Sequence, residues 1–551
     1  MFSVAKNAGL WLVVSATCVG LAAAAVAGCG AEKAPAGTGL GVSMRFASVD
    51  CPGKDGEPQS DGKPPADIKE FTITISGGGL GEPIERKVAR GADDFIVVND
   101  IPAGEGYTVT VVGTGGSADW KGEIKDVSFE NGKKTEARVY LTRVDAFTCA
   151  PEMGSPRFLH AAAALNDGRV LITGGAASIG DEGCSVSCCR LGCEGDALKS
   201  TDIYDPKTGE MTRGPDMKNA RAGHSATALA DGRVVVAGGL TRLVFTAITS
   251  ENRLPITNAP GAPLPAEIEI FDPETGRFSD GGEIETPRFL HAAAPAGGTK
   301  VILAGGATVE MVDQTPAFFS QAAADDVEIY DAGKRSVTVK AMRATRVAPA
   351  VATLSSGKVM VIGGGKDAAL AVAEAFDPKS GALDAFTTLD CTPENCDAQA
   401  AQMFAPAVPL EGQKVLVRGG FYVNTTEGTP TLLPVDAWDA AVMDFAGSAK
   451  KITEPPGKAA DPVSLLFAAA VRGSQVLICG GANSFDMIAL EQCEVRDPAA
   501  GTLTEQGKKM FSARLLHAMT LSGDGTVLIS GGLDLRYVPK VHASAEVYRM
   551  P

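Results

Sequence analysis

Seven times between residue 157 and the end of the chain, the sequence returns to one pattern. A short Ala-rich run leads through a tight polar turn into an aliphatic run and then a Gly-Gly pair. "RFLHAAAALNDGRVLITGG" begins at Arg157, "RAGHSATALADGRVVVAGG" at Arg221 and "RFLHAAAPAGGTKVILAGG" at Arg288. Looser copies begin at Arg346, Met403, Leu465 and Arg514. A second signature follows at a variable distance: "TDIYDPKTG" at 201, "IEIFDPETG" at 268, "VEIYDAGKR" at 327, "AEAFDPKSG" at 373, "CEVRDPAAG" at 493 and "AEVYRMP" at 545. The fifth unit offers only "DAWDAAVMDFAG" around Trp438. Units this short cannot bury a core alone, so neighbours must stack.

Each unit reads as four strands. Turns of the "NDGR" or "SSGK" kind suit tight hairpins. The aliphatic runs "VLIT", "VVVA", "VILA", "VMVI", "VLVR", "VLIC" and "VLIS" do not alternate, as a strand buried on both faces requires. "DPxTG" then turns the third strand into the fourth. With 65 Gly, 32 Pro and only 6% aromatics, the composition suits many short strands.

The Gly-Gly pair with the later "E-x-Y" signature resembles the kelch repeat, whose units are blades of a β-propeller. The resemblance covers about residues 144–551 and extends to the propeller of the galactose oxidase group. It implies an all-β fold with a seven-bladed kelch-like β-propeller. Two departures stand out: the tryptophan usual late in a kelch unit is mostly absent, and units five and six are degenerate. The last unit stops after its third strand, so "VDAFTCAPEM" at 144–153 is expected to close the ring as the outer strand of blade seven.

Histidine is scarce, at five residues. His160, His224, His291 and His517 hold one repeat position on four blades, which separates them around an axis and makes them structural. His542 stands alone in a loop. Arg157, Arg221, Arg288, Arg346 and Arg514 begin the innermost strand of five blades, beside the central channel. Such a ring can receive a carboxylate or sulfate; as a repeat position it also reads as architecture, satisfying carbonyls or carboxylates between blades. In galactose oxidase copper is held by two histidines and two tyrosines, one cross-linked to cysteine, and no such constellation remains here once repeat positions are set aside. No metal or cofactor is therefore expected. The second connection of each unit is long and shares a face with the blade-to-blade connections, which is where recognition usually lives. Phe318, Phe319, Phe421, Tyr422 and Tyr537 fall on that face.

The N-terminal third differs. Residues 1–28 read as a signal peptide ending in Val26-Ala27-Gly28-Cys29, which resembles the bacterial lipobox and implies lipid on Cys29. Residues 29–39 form a polar tether, and 40–143 carry six or seven alternating strands, expected as a small β-sandwich of transthyretin-like or immunoglobulin-like kind. The formal charge is −16, one unit more negative without Lys6, which makes nucleic acid an unsuitable partner. Ten cysteines follow Cys29. In an exported protein Cys184, Cys188, Cys189, Cys193, Cys391, Cys396, Cys479 and Cys493 are disulfide candidates, in preference to zinc ligands for the 184–193 cluster. Cys51 and Cys149, near the two ends of the first domain, can pair.

These features point to a bacterial lipoprotein, anchored to the membrane only through lipid, at the outer membrane or cell surface. Its expected role is non-catalytic binding of an envelope or extracellular protein or polysaccharide through the long-loop face. The five arginines with Phe421, Tyr422 and Tyr537 are the candidate contacts. A carbohydrate-modifying enzyme of isomerase or oxidase type at the channel mouth is the alternative, and a purely structural envelope component a third.

Overall fold

A computed structural model describes residues 38–49, 51, 67–90, 95–179, 193–245, 256–259, 261–308, 311–312, 315–316, 325–343, 345–364, 373–386, 406–417, 420–424, 431–434, 441–446, 450–453, 468–483, 488–497, 502–535 and 540–550. Among these residues there are strands and turns and no helix. Cys29, Cys184, Cys188, Cys189, Cys391, Cys396, Phe318, Phe319 and Tyr537 lie outside the described residues, and with them the leader and tether.

The aliphatic runs are the second strands of seven four-stranded sheets. These are Val170–Thr173, Val234–Ala237, Lys300–Ala304, Val359–Ile362, Lys414–Val417, Gln475–Cys479 and Thr526–Ser530. Their lack of alternation has a direct cause. Successive residues feed two different cores, one on each side of the blade. Val170 and Ile172 pack with Leu528 and Val547 of blade seven, whereas Leu171 packs with Val234, Val236 and Phe271 of blade two. The same division recurs at every seam: Val235 meets Val301, Ile302 meets Val359, Met360 meets Val415, Leu416 meets Val476, and Leu477 meets Val527. Each fully buried aliphatic side chain contributes about 1.5–3 kcal/mol. The seams are thus the propeller's core, and the innermost strands contact one another around a closed ring.

The ring closes as the sequence predicts. Blade seven runs Ala518–Leu521, Thr526–Ser530, Ala545–Arg549, and its fourth strand is Phe147–Ala150, from the other end of the chain.

Ahead of it, β1 (Gly39–Phe46), β2 (Glu70–Gly77), β3 (Ile84–Ala89), β4 (Phe95–Asn99), β5 (Gly104–Thr114), β6 (Trp120–Phe129) and β7 (Lys134–Arg143) form one hydrogen-bonded order, β3-β2-β5-β6-β7-β1-β4. The strands therefore connect as a single sheet, joined between β6 and β7 by only two paired positions. The sheet encloses one core in which Phe46 meets both Phe71 and Trp120. A disulfide joins Cys51 to Cys149 of the closing strand, and a second joins Cys479 to Cys493.

Candidate functional site at the channel mouth

The arginine at the start of each innermost strand is fully buried in all five blades that carry it. Its guanidinium turns back into its own blade, where it donates to the carbonyl of the first glycine of the Gly-Gly pair. Arg157 reaches Gly174 O at 2.6 Å, Arg221 Gly238 O at 2.8 Å, Arg288 Gly305 O at 3.0 Å, Arg346 Gly363 O at 2.6 Å and Arg514 Gly531 O at 2.6 Å. It also pairs with a carboxylate on the third strand: Asp202, Glu269, Glu328, Glu374 or Glu546. These glutamates are the "E" of the "E-x-Y" signature. Most of them also accept backbone N–H groups from the connection entering the blade, as Glu328 does from Glu285 and Thr286.

The five arginines are therefore not presented to a ligand. The expectation of an anion-receiving ring gives way to an intrablade lock, because every guanidinium already holds a carboxylate out of water. Breaking one lock should be costly. Arg514 has Glu546 as its carboxylate, so Glu546→Ala leaves a buried charge without it and is expected to cost about 3–5 kcal/mol in urea unfolding. Arg514→Met with Glu546→Leu should cost less than the single change. A larger loss in the double variant would refute the buried-pair account.

The Gly-Gly pair is explained by the next blade. The second glycine donates its N–H to the backbone carbonyl of the following arginine at 2.8 Å: Gly175 to Arg221, Gly239 to Arg288, Gly306 to Arg346, Gly481 to Arg514 and, across the closure, Gly532 to Arg157. The first glycine lies against the same carbonyl. A Cβ on Gly174 would sit 2.3 Å from Arg221 O, and the residue has φ of 58°.

The repeated histidines bind across seams. His160 Nε2 lies 2.8 Å from Ser530 Oγ of blade seven, and His224 Nε2 lies 2.8 Å from Thr173 Oγ1 of blade one. His291 Nε2 lies 2.9 Å from Ser225 Oγ of blade two. Burial, reinforced by the neighbouring arginines, holds all of these rings neutral; the pKa of His291 is pushed down to about 3, as is that of His517. His542, buried in the last connection, is likewise held down to about 3.

Around the channel mouth the residues after each arginine build an apolar collar. Phe158, Ala222, Phe289 and Leu515 each exchange backbone hydrogen bonds with the residue following Gly-Gly: Ala176, Leu240, Ala307 and Leu533. Leu159, Leu290 and Leu516 come next, partly buried against this cluster, with φ of 52°, 52° and 53°. Such a φ costs a leucine of order 1–3 kcal/mol. A chain of inter-blade hydrogen bonds holds it in place: Leu159 N to Leu516 O, Gly223 N to Leu159 O and Leu290 N to Gly223 O.

The long connections carry structure that the sequence did not reveal. Cys193–Asp196 from blade one pairs with Arg242–Phe245 from blade two, which pairs with Ile256–Asn258. Smaller hairpins follow on later blades, among them Phe421–Asn424 with Thr431–Pro434, which places Phe421 and Tyr422 in a strand of that face. Among the described residues no group of three or more His, Cys, Asp or Glu side chains converges as a metal site.

No protein-family model matches the chain, and no curated protein does. Among solved structures it is similar to a fungal alcohol oxidase of the AA5 family in complex with copper. The identity is 14% and the TM-score 0.50, over 74% of this chain and 77% of that one. At that identity the likeness shows the fold alone: the described residues are all-β and include a seven-bladed propeller.

Proposed function

We propose that this chain is an envelope-anchored, non-catalytic scaffold that binds a protein or polysaccharide through the long-loop face of its propeller. The exposed apolar side chains of the long-loop face carry this reading: beside the channel Phe158, Ala222, Phe289 and Leu515 are packed in the core and the arginines and glutamates are buried in pairs, which leaves recognition to the exposed residues of the face. A concave or exposed apolar surface on a rigid ring suits recognition. Two of the exposed large apolar side chains, Phe511 at 45% and Ile488 at 38%, belong to the same face. Their segments run side by side, through Met510 N to Glu491 O and Arg514 N to Leu490 O. The strand Phe421–Asn424 brings the backbone of Phe421 and Tyr422 to this face, and Tyr537, outside the described residues, is proposed with them. Lipid on Cys29 supplies the anchor to the outer membrane or cell surface, and the acidic charge favours partners other than nucleic acid.

The alternative, a carbohydrate-modifying enzyme at the channel mouth, draws on the likeness to the alcohol oxidase. Among the described residues the donor set does not suit copper. Three of the five histidines are bound to hydroxyl groups across seams, and repeat symmetry separates four of them. The two readings part in one experiment on the chain starting after Cys29. The scaffold reading expects no stoichiometric Cu(II) signal by electron paramagnetic resonance and no peroxide from galactose or simple alcohols. It also expects capture of envelope polysaccharide or protein, weakened about tenfold by Phe511→Asp. One copper per chain with peroxide release would replace it by the oxidase reading.

A further inference from the structure

The seam between blades six and seven breaks the rule of the other histidine seams. His517 occupies the repeat position of His160 and His224, yet among the described residues neither of its ring nitrogens has a hydrogen-bond partner, and it is 9% exposed. The ring is placed as its counterparts are. A Cβ on Gly480 would lie 2.7 Å from His517 Cε1, the same distance that separates Gly174 from His224 and Gly531 from His160. In those two seams the residue before the glycine, Thr173 or Ser530, supplies the hydroxyl. In the seam of His291 that residue is Ala237, and the hydroxyl comes instead from Ser225, paired opposite it. In blade six the two corresponding positions are Cys479 and Ala468. Cys479 is the one of the two that can donate a hydrogen bond, and its sulfur is bonded to Cys493, directly opposite on the neighbouring strand.

We propose that Cys479 is the missing partner of His517 and that blade six carries a thiol-dependent latch on its seam with blade seven. With the Cys479–Cys493 bridge formed, the seam lacks its histidine bond. A dithiol reductant attacks one sulfur, passes through a mixed disulfide and leaves as its own cyclic disulfide. The protein S–S bond breaks, and two electrons and two protons arrive on Cys479 and Cys493. The Cys479 S–H then donates to His517 Nε2, in the place where Thr173 and Ser530 serve the other seams. His517, held neutral, keeps a lone pair for that bond. Both cysteines are buried, so the reductant needs a local opening. The ladder between Gln492–Asp497 and the outer strand Thr502–Lys509 is irregular at Cys493/Glu494, which offers one.

The test follows the ring ¹⁵N shifts of the whole chain with dithiothreitol as the dithiol. On reduction His517 Nε2 is expected to move to the hydrogen-bonded values of His160 and His224, and amide exchange along Ala518–Leu521 to slow about fivefold. Cys479→Ser with Cys493→Ala should show the bonded shift without reductant. Cys479→Ala with Cys493→Ala should show the unbonded shift in either condition, which separates the effect from opening of Cys51–Cys149. An unchanged His517 shift in reduced wild-type protein, with the thiols counted as free, overturns the proposal even if a variant fails to fold.

Discussion

Between pH 6.5 and 4.5 the protein is expected to lose stability well before its carboxylates titrate. In the unfolded chain each histidine takes up a proton near pH 6.5. In the folded chain burial keeps the five rings neutral, with His291, His517 and His542 held to about 3 and His160 and His224 well below their usual value. The folded-state values are depressed, so the unfolded state binds more protons throughout this window. Stability is therefore complete above pH 6.5 and falls as the pH drops toward 3. Each ring removes about 1.4 kcal/mol per pH unit, so near pH 5 the three rings held to about 3 together remove about 6 kcal/mol, a large share of a domain's stability, and His160 and His224 act in the same direction. The measurement is the urea midpoint by circular dichroism from pH 7.5 to 4.5 at constant ionic strength. His224→Asn keeps a polar group beside Thr173 but cannot titrate, and should flatten the slope by about one proton. A midpoint unchanged down to pH 4.5 would mean that the rings are protonated in place, and the neutral seam bonds would have to be abandoned.

The blades were legible in the sequence because a run such as "VLIT" reports burial on both sides, and each seam uses alternate residues of it. The closing strand was legible because a propeller with an incomplete last unit must find a fourth strand elsewhere. The arginines were legible as a repeat and as architecture that satisfies carbonyls or carboxylates, but the partners were expected between blades and lie within one. Their carboxylates lie 45, 48, 40, 28 and 32 residues downstream, since a loop of different length intervenes in every blade. No fixed spacing marks such a pair, although the recurring acidic residue of the second signature, Asp202 in the first blade and glutamate in the other four, was a signal that something needed a carboxylate there. The histidine partners were hidden for a related reason: they belong to the preceding blade, and for His160 to the other end of the propeller, 370 residues away. The strand Cys193–Asp196 was hidden because "CEGD" has no alternation, and its partner "RLVF" lies in another blade's loop.

A chain beginning at residue 151 is expected not to form the closed ring. Blade seven then ends at Ala545–Arg549, every residue of which is buried, and the hydrogen-bonding edge that faces Phe147–Ala150 opens to water. Phe147 leaves Tyr548, whose ring centroid lies 4.9 Å away. The buried Arg549 keeps Asp524 but loses Thr142 Oγ1 at 2.8 Å. Asp145, which accepts from Tyr548 OH at 2.5 Å and from Lys508 Nζ at 2.7 Å, is removed as well. An uncovered apolar edge recruits other strands, so sedimentation should show oligomers or aggregate in place of a monomer. Within the full chain a milder version of the same change is Thr148→Pro. Cys149 turns its N–H away from the blade, to Ser48 O at 2.8 Å, which by strand alternation aims the Thr148 N–H at the third strand. Proline there removes that donor and should cost about 3 kcal/mol, whereas Thr148→Val, which loses only the hydroxyl contact to Val547 O, should cost under about 1 kcal/mol. A monomeric 151–551 chain with the wild-type unfolding midpoint would show that the ring does not depend on this strand. The coupling runs both ways. Cys149 is bonded to Cys51, and Tyr140 of β7 packs its ring over Gly209 of blade one, where a Cβ would lie 2.2 Å from it. The segment that closes the propeller is therefore also the segment that fixes the N-terminal sheet to it, and loosening either is expected to loosen both.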